Sequence, residues 1–179
     1  MKATGIVRRV DDLGRIVIPK EIRRTLKIRE GDPLEIYTEK DGGVIFRKYS
    51  PMEDLQEFAS HICDAIHATT GRMAAVADRD AIIAVAGGGK RELLDKPNSA
   101  DLDALMVSRK DYRFQEGEPA LQTVEGNDKY PIGIASPVIS QGDLLGCVLL
   151  LSDGSVTMNE ADQKLAKTIA NFLGKQMES

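Results

Sequence analysis

The chain has 179 residues, 42% hydrophobic and 29% charged, and a formal net charge of −4, which excludes a disordered or collagen-like polypeptide and leaves one or two globular domains. Its two cysteines, Cys63 and Cys147, are too few and too far apart for a disulfide framework, so both are read as reduced and structural. No apolar run approaches the roughly 20 residues that cross a bilayer, and the N-terminus lacks the apolar stretch of a secretory signal, so a cytoplasmic protein is expected.

In chain order, residues 4–10 and 15–18 read as two short strands about a turn at Asp11–Gly14. Pro19 sits where a first helical residue is favoured, and the short helix 20–26 follows. Ile22 and Leu26 would share its inward face, leaving Lys20, Arg23, Arg24 and Lys27 as a compact basic surface. Glu30–Pro33 is a turn. Residues 34–37 and 44–47 then form a hairpin about Asp41-Gly42-Gly43. About fifty residues of such short strands make a poor core, so this segment is expected to fold by sharing strands with a second copy.

Tyr49-Ser50-Pro51 reads as a linker between domains at 1–50 and 51–179. Beyond it, Leu55, Phe58, Ile62 and Ile66 recur at helical spacing, ending near Gly71. Residues 73–77 and 81–86 read as a hairpin, 87–98 as a glycine-containing loop with a helical turn, and 99–109 as a helix capped by Ser99. Residues 121–124, 132–139 and 144–151 read as strands, and 159–177 as a closing helix. The order predicts an α+β domain, an antiparallel sheet with helices packed on one side.

Charge divides along the same line. Residues 1–50 hold twelve Lys/Arg against eight Asp/Glu, and the rest of the chain holds twelve against twenty. A basic, nucleic-acid-facing start and an acidic remainder follow.

The run Leu13-Gly14-Arg15-Ile16-Val17-Ile18-Pro19, continued by Glu21-Ile22-Arg23-Arg24-Thr25-Leu26, resembles the AbrB family of bacterial transition-state regulators, as do Thr4–Arg8 and Asp11-Asp12 before it. The resemblance implies an all-β swapped-hairpin barrel, dimeric and with a short helix, that binds double-stranded DNA. It further implies a GAF-like sensor domain after it, with an antiparallel sheet and flanking helices. The family's DNA-gripping arginines match Arg8, Arg15, Arg23 and Arg24, with Arg9, Lys20 and Lys2 as accessory contacts. Arginine's rigid fork of donors suits phosphate and guanine edges. The alternative for each is a solvated charge or a salt bridge to Asp11, Asp12 or Glu21. Lys27 and Arg29 lean that way, beside Glu30 and Asp32.

A GAF-like fold often holds a small molecule between sheet and helical insert, here lined by Ile83, Val85, Leu102, Met106, Ile134 and Val148. An unliganded, purely oligomerising domain is the competing reading. Other constellations carry less. Gly87-Gly88-Gly89-Lys90 is no P-loop, since Ala84 and Arg91 hold positions that require glycine and Ser/Thr. His61, His67 and Cys63 do not share a helix face, so no metal is expected. Asp78 and Asp80 flank a turn.

The chain is therefore read as a non-enzymatic, nucleoid-associated activator or repressor of sporulation genes, with no cofactor beyond an unidentified effector. A homotetramer is favoured over a dimer, because two self-associating domains can link dimers. The rivals are an antitoxin-like autoregulatory module, an oligomerisation protein without a direct DNA role, and an enzyme acting through the second domain.

Overall fold

The structure is a computed structural model that describes residues 6–52, 55–152 and 157–178. The chain divides into two compact units, residues 1–49 and 50–179.

In the first unit, the fixed φ of Pro19 (−55°) leads into α1 (Lys20–Thr25). α1 ends where Lys27 turns left-handed (φ 51°) and Ile28 N–H reaches back to Arg23 C=O at 2.8 Å. β1 (Leu34–Thr38) pairs antiparallel with β2 (Val44–Lys48), from Leu34 opposite Lys48 to Thr38 opposite Val44. Lys48 Nζ ties the hairpin to the end of α1, donating to Lys27 C=O at 3.1 Å and pairing with Asp32 at 3.5 Å.

Two expectations fail here. Residues 6–10 and 15–18 form no strand, and residues 4 and 5 of the first expected strand lie outside the described residues. Among the described residues the two arms share one backbone bond between them, Asp11 N–H to Arg15 C=O at 3.0 Å, and a single rung makes no ladder. Leu26, expected to face inward, is 54% exposed, in company with Val7, Val10, Ile16, Val17 and Ile36. Among the described residues, Pro19 is the one buried residue of the first unit, and every other buried apolar side chain lies at Met52 or beyond. The first unit thus has apolar residues but no buried cluster of its own.

The second unit is built on a five-stranded antiparallel sheet. Its elements are α2 (Gln56–Thr70), β3 (Met73–Asp78), β4 (Ile82–Ala86), α3 (Lys90–Leu93), α4 (Ala100–Ser108), β5 (Tyr112–Arg113), β6 (Ile132–Ser140), β7 (Asp143–Leu151) and α5 (Glu160–Gln176). The strand order is β4-β3-β7-β6-β5. Ala74, Val76, Val148 and Leu150 turn one face toward Ala59, Cys63 and Ile66 of α2 and Ala166, Ala170 and Leu173 of α5. Their neighbours Ala75, Ala77, Cys147, Leu149 and Leu151 turn the other face toward Leu93, Leu102, Met106 and Val124. The expectation of helices on one side is therefore corrected. α3, α4 and the 121–130 segment cover the second face, because strands apolar at every position have no side to give to water.

The expected strand at 121–124 is replaced by isolated bridges of Val124 to Asn98 and Asn127. The edge beside β6 belongs instead to β5, for which the sequence carries no strand pattern. Helix ends follow their capping residues. Ser99 Oγ accepts from Leu102 N–H at 3.0 Å, and Gly71 closes α2 at φ 70°. Asn159 and Asp162 form a reciprocal capping box at the start of α5.

The Asp162 carboxylate is buried, and Arg72, just before β3, grips it through Nη2 at 2.8 Å and Nε at 3.3 Å. Removing the guanidinium leaves a buried, uncompensated charge. Arg72→Ala is expected to destabilise the second unit by about 3 kcal/mol, read as an earlier urea midpoint by far-ultraviolet circular dichroism.

Candidate nucleic-acid interface

The cations of the first unit fall into groups with different partners. Arg8 and Arg9 lie on the exposed arm before the turn, and Lys20, Arg23 and Arg24 lie on α1. Lys20, Arg23 and Arg24 are three and four residues apart, so they share one side of the helix. Ile22 takes the half-buried direction instead. Among the described residues, none of these five side chains has an ion pair or hydrogen bond. Lys2 lies outside the described residues. Arg47 and Lys48 have structural contacts. Arg47 stacks 5.3 Å from the centre of the Tyr37 ring, and Lys48 is held as described above.

Arg15 stands between these groups. The turn that precedes it needs a left-handed residue, and Gly14 supplies it at φ 77°. Arg15 Nε donates to Asp11 Oδ2 at 2.7 Å, while the side chain is still 70% exposed. Asp11 Oδ1 accepts from the amides of Leu13 at 3.0 Å and Arg15 at 2.8 Å. The Arg15 amide, then its side chain, and then the Leu13 amide hold the Asp11 carboxyl below the ordinary aspartate range. The salt-bridge alternative for the matched arginines is thus realised at Arg15.

The six candidate pocket residues are not brought together. Val85, Leu102 and Met106 lie in the cluster under α3 and α4, whereas Ile83, Ile134 and Val148 lie in the cluster under α2 and α5. The sheet separates them, and the register shift opposite Val76 and Ala77, which leaves Ile83 without a partner, puts Ile83 and Val85 in different clusters although they are two residues apart in β4. An open cavity of about 300 Å³ lies elsewhere, lined by Thr70, Gly71, Arg72, Met73, Leu151, Ser152 and Met158. The glycines of 87–89 serve close packing. A β-carbon on Gly87 would strike the His67 ring, and one on Gly89 would press on Tyr130. His67 Nδ1–H donates to Arg72 C=O at 2.9 Å. Among the described residues, no three His, Cys, Asp or Glu side chains cluster as a metal site would require. Burial, and then Asp64, pushes the Cys63 thiol up to about 12, and burial pushes Cys147 up as well, so both stay protonated and unreactive.

Residues 54–178 match the family model described as stage V sporulation protein T C-terminal, transcription factor. The chain belongs to this family. It is 46% identical over 182 residues to stage V sporulation protein T of Bacillus subtilis (strain 168), covering 99% of both chains. The basic start of this family member is also 63% identical over 51 residues to the transition state regulatory protein AbrB of the same organism. That match covers 28% of this chain and 52% of AbrB. Residues 7–54 match the model of the MazE antitoxin, described as antidote-toxin recognition. The solved type II free methionine-R-sulfoxide reductase of Thermoplasma acidophilum is 15% identical, with a TM-score of 0.54, over 69% of this chain and 95% of that one. This last likeness concerns fold alone, that of the α+β second unit.

Depression of a carboxyl pKa means that the turn's stabilisation is complete above the unfolded value and lost as pH falls through the folded one. The Asp11 carboxyl is expected to titrate below unperturbed aspartate, with the Leu13 amide moving at the same midpoint, in a carbon- and nitrogen-detected NMR titration.

Proposed function

We propose that this chain, a sporulation transcription regulator by family, acts by gripping double-stranded DNA through its first unit, with Arg8, Arg15, Arg23 and Arg24 as principal contacts and Arg9, Lys20 and Lys2 as accessories. The observation that carries this is the exposed, unpartnered state of Arg8, Arg9, Lys20, Arg23 and Arg24 within fifty residues. Solvated cations release condensed counterions when they meet phosphate. The acidic second segment repels DNA and leaves this face as the attractive one.

The same unit is dimeric in this reading, as a swapped-hairpin barrel. Val7, Val10, Ile16 and Val17 of the arms are exposed, as is Ile36 of β1, so a second copy that paired these arms would bury apolar surface and bring two sets of cations together. The second unit is taken as a GAF-like domain that oligomerises. Phe58 of α2 and Phe172 of α5 stack with ring centres 6.0 Å apart and stay partly exposed, beside Ile62, Leu165 and Ile169. That surface suits a homotetramer of linked dimers. An unidentified small-molecule effector would act by changing how the DNA-binding units are spaced. The protein works without catalysis in this reading, with its thiols held protonated, and in the cytoplasm on the nucleoid. Among the described residues no helix is long and apolar enough to cross a membrane.

The match of residues 7–54 to an antitoxin model favours a second reading, an antitoxin-like autoregulator. Toxin capture of that kind uses a disordered tail, whereas α2 to α5 build a folded domain over 56–176.

Fluorescence anisotropy across a salt series tests the proposal. Wild type is expected to show a steep negative slope of log K against log salt. Arg23→Ala/Arg24→Ala should flatten it by about 0.9 for each phosphate no longer neutralised. No binding at low salt by a folded oligomer would remove the DNA role.

A further inference from the structure

The turn at residues 11–15 sets an acid against one of the basic first unit's arginines, and DNA attraction alone gives that acid no task. Asp11 fixes Arg15 twice over. Its Oδ1 accepts from the Arg15 amide at 2.8 Å and the Leu13 amide at 3.0 Å, while its Oδ2 receives Arg15 Nε–H at 2.7 Å. Its own N–H donates to Arg15 C=O at 3.0 Å, and its C=O accepts from Gly14 N–H at 3.1 Å. Backbone and guanidinium of Arg15 are thus positioned by one residue.

We propose that Asp11 is a positioning residue for DNA recognition, holding the Arg15 guanidinium by its Nε so that both Nη groups point to the nucleic acid. The inference rests on the reading of Arg15 as a DNA contact. A free arginine loses much rotamer freedom when it docks, and that loss weakens binding. Asp11 imposes the restriction before DNA arrives. The Nη groups that stay available suit two-pronged recognition of a guanine edge or a phosphate. Arg8, Arg23 and Arg24 have no such partner among the described residues. They attract DNA of any sequence, and Arg15 presents a defined fork to one position. An exposed pair of this kind adds little to stability, so its use lies in geometry.

Electrostatics and positioning predict opposite signs. Removing a negative charge from the face strengthens attraction to any duplex. Removing the clamp weakens the one contact that needs a fixed direction.

The experiment compares the full chain with Asp11→Asn, Arg15→Ala and the double variant. The asparagine oxygen can still accept from the turn amides, so the turn is kept while the charge facing Arg15 Nε is removed. The probes are a duplex selected by wild type from a random pool and an unrelated duplex of equal length. Asp11→Asn is expected to weaken the selected duplex about tenfold and to bind the unrelated one equally or more tightly. The double variant should be no weaker than Arg15→Ala. Without DNA, the Arg15 Nε–H should exchange with water faster in Asp11→Asn, seen by nitrogen-15 NMR. If Asp11→Asn binds both duplexes as well as wild type while Arg15→Ala is weakened, the clamp is overturned and the DNA contact stands. Undiminished binding by Arg15→Ala would overturn the contact, and the clamp with it.

Discussion

Apolar side chains have to leave water somewhere, and the two units meet that demand in opposite ways. In the second unit, β7 lies between β3 and β6 and buries Leu149 and Leu151 on one face and Val148 and Leu150 on the other. Everything else there follows from this double burial. α2 and α5 must lie on one face, α3 and α4 must close the other, and close approaches need residues without side chains. Gly174 of α5 lets that helix rest on the Ile139 carbonyl, where a β-carbon would collide. The first unit has the opposite character. Its valines, with Ile16 and Ile36, stay in water, and its regular structure is a hairpin and a six-residue helix. Such a unit depends on what joins it, and dependence of this sort suits a module that assembles on DNA in pairs.

Charge follows the same division of labour. Where a charged group is buried it is paired, as Arg72 is with Asp162. In the unit that lacks a core, Arg8, Arg9, Lys20, Arg23 and Arg24 are exposed and, among the described residues, unpaired. Asp11 is the exception that organises its surroundings. A carboxylate among arginines would be a poor choice for attraction alone, but it gives the turn a rigid hub.

Much of this was legible from residues. Ser99, Gly71 and Asn159 mark helix ends by chemistry that acts within a few residues, so α2, α4 and α5 could be placed closely. The paired strands β3–β4 and β6–β7 were legible from long apolar runs about short polar turns. What escaped depends on distant partners. The arms at 6–10 and 15–18 have strand-like residues, yet within this chain they find one rung. β5 has two residues, Tyr112 and Arg113, and takes its edge position from β6 rather than from any pattern of its own. The candidate pocket failed for a related reason. Strict alternation would put Ile83 and Val85 of β4 on one side, but the register shift opposite Val76 and Ala77 divides them between the two faces. The four matched arginines could be named from the run of residues around them, and a salt bridge to Asp11 was an open alternative for each, but which of them Asp11 would hold could not be named.

The position of β7 also sets an order of events during synthesis. It is the last strand in the chain, yet it sits at the centre of the sheet, so the β3–β4 hairpin has an unpaired inner edge until residue 151 has left the ribosome. At about 5–20 residues per second, the wait from the end of β3 is roughly 4–15 s. The first unit, by contrast, has fully emerged before β3 begins. Its arms are free to find a neighbouring nascent chain during that interval. Two chains translated side by side on one message could then be joined at their starts before either has finished folding its larger half.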